Sequence, residues 1–555
     1  MNSEAWPGSV TRSTSESGYA PNAEMVLSGA KSWPLHGIAS SRRIEARMLE
    51  RWDGCSLMAW AGRRVARWVL GMAPHARRVW VAAGPGGNGA DGLFAAARLA
   101  QCGKRVDISL HGTTLDRALA STGTSYQQAL EQALASGCVL RDEATHPAPD
   151  LVIDALLGLG ANRALSPPLA QAVQAIQQLR RPCLSIDLPT GLNGETGQAL
   201  GPDMVKAEAT LSLLTLKPGL LMGEGRDAAG QVWFDRLDHS PLNDDERPLA
   251  QTICRPYGPG ERPMRPHTSH KGSFGDVVIA GGAPGMSGAL RLAAHAALAA
   301  GAGRVIAVPL DPSSALLDEL RPECMWMRPQ AWLEDYPLER ATVVCGCGGG
   351  SAVQALLPAV MDKAKRLVLD ADALNALAAQ PALAFALQSR AGRGLGTILT
   401  PHPLEAARLL QRSVGAVQAS RLEAAQTLAA QYQATVALKG SGTVVATPGT
   451  GPQVNVTGSG ALAAGGTGDV LAGWMGGRWA SAPEGTELRA ETKAQDAQEA
   501  PGSQESRKAP ASLQAHHTAC SAVFEHGLAA DHLGAFNAVR ALDLVEQMRL
   551  ELSRP

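Results

Sequence analysis

Asp469 stands just after Gly465, Gly466, Thr467 and Gly468 and opens the run VLAGWMGG over 470–477. Glycines at a helix start leave backbone N–H groups free to face an anion, and a carboxylate beside them can take a proton from an attacking hydroxyl. Phosphoryl transfer needs both parts. Taken alone, Gly-Thr-Gly-Asp also fits an ordinary glycine-rich helix start with an acidic first turn. It is preceded, however, by SHKGSFG (269–275), LDADALNAL (369–377), TPHPLEAARLL (400–410) and ALKGSGTVV (437–445). Neither a GxxxxGK[ST] loop nor a His-Arg-Asp kinase loop occurs, which disfavours a P-loop enzyme and a protein kinase.

A second set lies in the first half. RVWVAAG runs into GPGGNGADGL, which satisfies Gly84-x-Gly86-x-x-Gly89 before an Ala-rich helical stretch expected from Asp91. A strand, a glycine turn and a helix start can bind an anion, and can equally be a tight turn needing glycine for packing. Asp154 in DALLGLGANRAL and Asp187 in SIDLPTGLNGETG each end an apolar run. Carboxylates at the C-terminal ends of parallel strands stand where open α/β sheets bind ligands. Asn193 and Gly194 read as a turn.

The elements that must position these groups alternate. Val79–Ala83, Val106–Leu110, Leu151–Leu157, Cys183–Leu188 and Ala209–Leu216 are short apolar runs between Ala-rich stretches, a pattern that predicts an α/β domain with a parallel sheet. Repeated proline in 238–267 breaks the pattern. The alternation restarts with 276–282, 304–310, 342–346, 366–372, 397–402 and 435–440. This divides the 555 residues into a polar extension (1–34), a first domain (35–237), a linker (238–262) and a second domain (263–550). Residues 481–515 hold almost no large apolar side chains and are expected to be a disordered surface insertion, as is the extension.

A net charge of -1 gives no long-range attraction for nucleic acid or an anionic membrane, and no apolar run is long enough to span one. Nine scattered cysteines without a Cys-x-x-Cys pair, and residues 1–31 without an apolar core, point to a reducing cytoplasm.

GPGGNGADGL, VIDALLGLG, SIDLPTGLNGETG and LKPGL resemble the successive motifs of the NAD(P)H-hydrate epimerase family, whose fold is Rossmann-like. The clusters of the second half resemble the ribokinase-like superfamily and, within it, the ADP- or ATP-dependent NAD(P)H-hydrate dehydratases; both folds are three-layer sandwiches. The first resemblance implies that Gly87, Asn88, Gly89, Ala90 and Asp91 touch substrate, and that Gly158, Leu159, Gly160, Ala161, Asn162, Arg163 and Ala164 hold it. It further implies that Asp187 contacts the reacting end and that Asn88, Asp154 and Thr190 ligate K+. The second implies that Lys439, Gly440, Ser441, Gly442, Thr443 and Gly468 contact the adenine nucleotide. Ala289, Gly350, His402 and Asp469 then face the hydrated cofactor, with Asp469 as base.

Together the two resemblances imply a bifunctional repair enzyme. Its first domain would interconvert R and S hydrates of NADH or NADPH. Its second would dehydrate the S form at the expense of ADP, with Mg2+, giving AMP and phosphate. A homo-oligomer is expected. His402 also fits a turn, and Asp370 and Asp372 fit either nucleotide positioning or a helix cap. The chain departs from the epimerase pattern at Gly87 and Ala90, and from the dehydratase pattern at Cys347 within Gly346–Gly350. Two other readings remain: a ribokinase-like small-alcohol kinase with a regulatory first domain, and an inactive nucleotide-binding scaffold.

Overall fold

The computed structural model describes residues 23–51, 54–120, 123–141, 148–237, 246–256, 265–482, 510–534 and 537–553. Two sheets organise them. In the first, the strands Gln231–Asp235, Ala209–Leu213, Cys183–Ile186, Leu151–Ala155, Arg78–Ala83, Arg105–Leu110 and Val139–Leu140 lie side by side in that order, all parallel, with Glu24–Met25 antiparallel at one edge. Most of the side chains in these runs are apolar and buried, as expected where helices cover both faces.

The chain moves outward from Arg78–Ala83 to Arg105–Leu110, then returns to place Leu151–Ala155 on the other side. The crevice at that switch lies at the ends of the two strands carrying the glycine turn and Asp154. The second sheet repeats the device. Met325–Trp326, Arg304–Pro309, Asp276–Gly281, Ala341–Cys345, Arg366–Leu369, Gly396–Leu399 and Thr435–Leu438 are parallel, and the order reverses between Asp276–Gly281 and Ala341–Cys345. An antiparallel extension follows through Val444–Ala446 and Gln453–Val454.

That sheet continues into segments placed elsewhere by sequence. Ala250–Thr252, in the expected linker, pairs with Gln453–Val454, and Pro34–Leu35 closes the edge. Residues 1–22 lie outside the described residues, but from Ala23 the expected disordered extension is packed, with Val26 and Trp33 buried. Leu216, Leu220 and Leu221 of the first domain share one apolar cluster with the second sheet. The two domains are therefore joined by a common core. No helix among the described residues is long and apolar enough to cross a membrane.

The 481–515 expectation also shifts. Residues 483–509 lie outside the described residues, but Ser481 ends the helix Thr467–Ser481 and Ala511 begins the helix Ala511–Leu533, in which Ala515 is fully buried.

Candidate active sites

The helix after the first glycine turn begins at Gly87, four residues before the expected start, with Gly86 as N-cap. Asn88 and Asp91 are three apart on it and share a face. That face lines a cavity of 320 Å³ together with Gly87, Leu157–Gly160, Asp187 and Lys217. Gly89 and Ala90 are buried behind it, and Ala161, Asn162, Arg163 and Ala164 do not line it. Gly84 lets the turn approach its neighbour strand, since a Cβ there would meet the Leu156 carbonyl oxygen at 1.7 Å.

Asp187 leaves its strand at φ +66, a left-handed conformation that costs energy in most residues but less in Asp or Asn. The Lys217 ammonium binds its carboxylate and also donates to the Leu213 carbonyl at 3.0 Å, and the Leu213 N–H donates to Asp187 Oδ1 at 3.2 Å. The side chains of Lys217 and Asp187 are 3% and 15% exposed, so the pair meets the cavity in a largely dry setting. Desolvation, reinforced by Asp187 and Glu45, holds the Asp91 carboxyl well above the usual carboxylate range. Its Oδ1 and the Asn88 Nδ2 are buried without partners. Partial desolvation and then the Asp187 charge also raise Glu45, a cavity residue on the helix Ile38–Arg51. Sequence reasoning missed Glu45 because it lies far from every motif, and quoted Lys217 within LKPGL without assigning it chemistry.

Asp154 is fully buried, and burial raises its carboxyl despite four donors. These are the hydroxyls of Ser185 and Thr190 at 2.9 and 2.7 Å and the N–H groups of Thr190 and Leu156. Thr190 Oγ1 also accepts from the Leu157 N–H at 3.0 Å. Asn193 is a turn residue whose Oδ1 accepts from the N–H groups of Glu195 and Thr196 at 2.9 and 3.0 Å.

In the second domain the helix Thr467–Ser481 starts as the glycines predict, capped by Gly466 at φ +90. The Lys439 ammonium lies 2.7 Å from Asp370 Oδ1, which also accepts from the Thr400 hydroxyl at 2.7 Å. Burial lowers the Lys439 pKa, but Asp370 and Glu405 outweigh it and the group remains a cation. Asp469 is raised to about 6, first by desolvation and then by Asp370. A carboxylate with that value is a competent base near neutrality.

Cys347 Sγ and carboxylate oxygens of Asp370 and Asp469 lie within 4.8 Å of one another. Burial and then the two carboxylates push the Cys347 thiol far up, so it stays protonated. Gly348 packs against Ala289, where a Cβ would stand 3.0 Å from the Ala289 methyl, and the Gly350 N–H donates to Asp372 at 2.8 Å. These contacts bring the Ala289 helix and the Gly346–Gly350 turn together.

His402 is the N-cap of the helix Pro403–Leu410. Its Nδ1 accepts from the N–H groups of Leu404 and Glu405 at 3.1 and 3.3 Å, while Glu405 reaches back to the His402 N–H at 2.8 Å. Burial and then Lys439 lower its pKa, leaving a neutral ring. With Nδ1 accepting, the proton resides on Nε2, 3.3 Å from Glu405 Oε1. Arg421, absent from the sequence reading, lies buried beneath the Lys439–Thr443 loop and donates to the carbonyls of Leu438, Lys439 and Gly442 at 3.1–3.2 Å.

Residues 277–549 match the family model described as NAD(P)H-hydrate dehydratase, and residues 54–219 match that described as YjeF-related protein N-terminus. The bifunctional NAD(P)H-hydrate repair enzyme of Escherichia coli (strain K12) is 35% identical over 425 residues, 76% of this chain and 79% of that protein. That of Leishmania braziliensis is 32% identical over 510 residues, 85% of each chain. Among solved structures, the ADP/ATP-dependent NAD(P)H-hydrate dehydratase of Bacillus subtilis, co-crystallised with ATP/Mg2+, is 26% identical, spanning 53% of this chain and 94% of that one, with TM-score 0.38. A ribokinase-like superfamily protein of Enterococcus faecalis is 23% identical over 52% of this chain and 90% of that one, with TM-score 0.41. On the extent of these sequence matches, the chain belongs to the family of bifunctional NAD(P)H-hydrate repair enzymes.

Proposed function

We propose that the chain repairs hydrated NADH and NADPH, its first domain interconverting the R and S hydrates and its second dehydrating the S form with ADP. The observation that carries the reading is that each half of the chain sets a carboxylate–lysine pair, Asp187 with Lys217 and Asp370 with Lys439, just past the C-terminal ends of its parallel strands.

In the first cavity, Asp187 is the acid/base group at the hydroxyl-bearing carbon of the hydrated ring. That carbon is bonded to the ring nitrogen, so water can depart and return to either face, or the ring can open and reclose. Lys217 binds the Asp187 carboxylate and holds its orientation. Asp91, protonated by its surroundings, can donate a proton where Asp187 accepts one.

The oxygen donors of Asn88, Asp154 and Thr190 suit a hard monovalent cation. The unpartnered Asn88 Nδ2, which exchanges places with the amide oxygen on rotation, is consistent with a ligand beside it. These residues would hold K+, which would offset the charge of the substrate diphosphate when bound.

In the second crevice, Asp469 takes the proton as the hydroxyl oxygen of the S hydrate attacks the terminal phosphorus of ADP and the bond to AMP breaks. The N–H groups at Gly465–Gly468 and the Lys439 ammonium stabilise charge on the transferred group. Phosphate then leaves the ring carbon as a neighbouring carbon gives up a proton, restoring the dihydronicotinamide. His402, as a neutral cap, orients the loop at the mouth and can present its edge to the substrate.

Magnesium finds a poor ligand set in the protein. Cys347 is a soft ligand, and Asp370 is occupied by Lys439 and Thr400. The ion would enter on the nucleotide phosphates and keep most of its water.

The test is recovery of dihydronicotinamide absorbance from a mixture of R and S NADH hydrates with K+ and Mg2+, with and without ADP. Complete, ADP-dependent recovery is expected. Recovery that halts at the S fraction would remove the epimerase assignment, and none with ADP or ATP would remove the dehydratase assignment and with it the repair reading.

A further inference from the structure

We infer that Arg226, in the first domain, is a positioning residue for the nucleotide site of the second, so that affinity for the adenine nucleotide is set across the domain boundary. The inference rests on the assignment of nucleotide to Lys439–Thr443 and Gly468.

Arg226 lies on the short helix Gly225–Ala229, and its guanidinium crosses to the second domain. It donates to the carbonyl oxygens of Val456 at 2.6 Å and Gly458 at 2.8 Å. Both carbonyls belong to the turn that leads into Gly460–Leu462 and then the helix start at Thr467. The opposite side of the turn is held by Asp531, whose Oδ2 accepts from the Gly458 N–H at 2.9 Å. Gly458 can serve both partners because it sits at φ +94. Ordering then passes forward. Leu462 N–H donates to Ser459, and the Thr467 hydroxyl donates to the carbonyls of Leu462 and Ala464 at 2.9 and 3.0 Å. Thr467 is two residues from Asp469.

A second contact carries the same reading. Gly223 and Ser441 exchange two hydrogen bonds, Gly223 N–H to the Ser441 carbonyl at 3.2 Å and Ser441 hydroxyl to the Gly223 carbonyl at 2.9 Å. Gly442 passes so near the Leu221 carbonyl oxygen that a Cβ would meet it at 2.2 Å. Residues 221–223 of the first domain thus back the Lys439–Thr443 loop directly, and Arg226 holds the turn that leads, ten residues on, to Gly468.

The experiment measures, on the full-length protein, ADP affinity by calorimetry, KM for ADP, kcat, hydrate epimerisation and thermal stability for Arg226→Ala and Arg226→Lys. Lysine keeps the charge but replaces the planar fork, whose two nitrogens each reach one carbonyl, with a single donor atom. Loss of a half-buried charged donor predicts an ADP KM higher on the order of 10-fold in the alanine variant, with a smaller rise in the lysine variant. The value of kcat should stay within about twofold and epimerisation should be unchanged. An unchanged ADP KM in both variants overturns the inference, as does a parallel loss of both activities that tracks the melting temperature. Should the parent protein bind ADP without dehydrating the hydrate, the functional reading fails, and calorimetry on the two variants still decides the role of Arg226.

Discussion

The Lys439 ammonium lies 2.7 Å from Asp370 and 3.6 Å from where a Cβ on Gly468 would stand, so one buried cation joins a strand-end carboxylate to the helix start that would receive phosphate. Removing it should harm both stability and chemistry. Lys439→Met leaves Asp370 buried with only the Thr400 hydroxyl as donor, a loss of about 3 kcal/mol. It also removes a transition-state cation, and the dehydratase kcat should fall about 10²–10³-fold. Denaturant midpoints and single-turnover rates measure the two effects; an unchanged kcat would take Lys439 out of the reaction.

Asp469 binds its proton more tightly in the folded protein, with a pKa of about 6 against 3.8 for the ordinary group. Its ionisation therefore costs stability as pH rises from about 4 through 6 and continues to do so above. Dehydratase activity runs the other way, rising through pH about 6 to a plateau as the base ionises. Asp469→Asn should abolish that activity and stabilise the protein at pH 8 by on the order of 1–3 kcal/mol. Melting curves at pH 5 and pH 8 check the sign: the stabilisation must shrink at the lower pH.

Asp187→Asn isolates charge from backbone conformation, because Asn tolerates φ +66 nearly as well as Asp. Epimerisation should drop about 10²–10⁴-fold while dehydration of purified S hydrate is retained. Asp187→Ala should lose the same activity and additionally destabilise the fold by about 1 kcal/mol through the strained backbone. Comparing the melting temperatures of the two variants separates strain from the shared loss of the Lys217 partner.

The strands were legible in sequence because burial on both faces leaves continuous apolar runs, as at Val277–Ala280 and Val343–Cys345. The helix start at Gly87 was not, because glycine is a poor helix former and the residues 87–90 read as loop. Packing overrides that propensity: at Gly92 a Cβ would lie 2.4 Å from the Ala155 methyl, so the helix needs glycine to seat on the sheet. His402 carried a readable signal in Glu405 three residues on, the spacing of a capping box. Arg421 and Arg226 carried none. Each acts by satisfying carbonyls far away in the chain, and nothing in a local window marks that use.

The helix boundaries around the polar stretch 483–509 set the last expectation. Gly396 touches both ends: a Cβ there would lie 2.7 Å from the Trp479 ring and 3.2 Å from the Ala511 carbonyl oxygen. The two helices therefore approach one another on either side of the stretch, and a short Gly/Ser connection can replace residues 484–508. Such a replacement removes few large apolar side chains, and the melting temperature should move by no more than about 2 °C. Removing 481–515 instead cuts away the first turn of the helix Ala511–Leu533 with its buried Ala515 and should lower it by about 4 °C or more. Equal effects from the two deletions would mean that the 484–508 stretch itself contributes to packing.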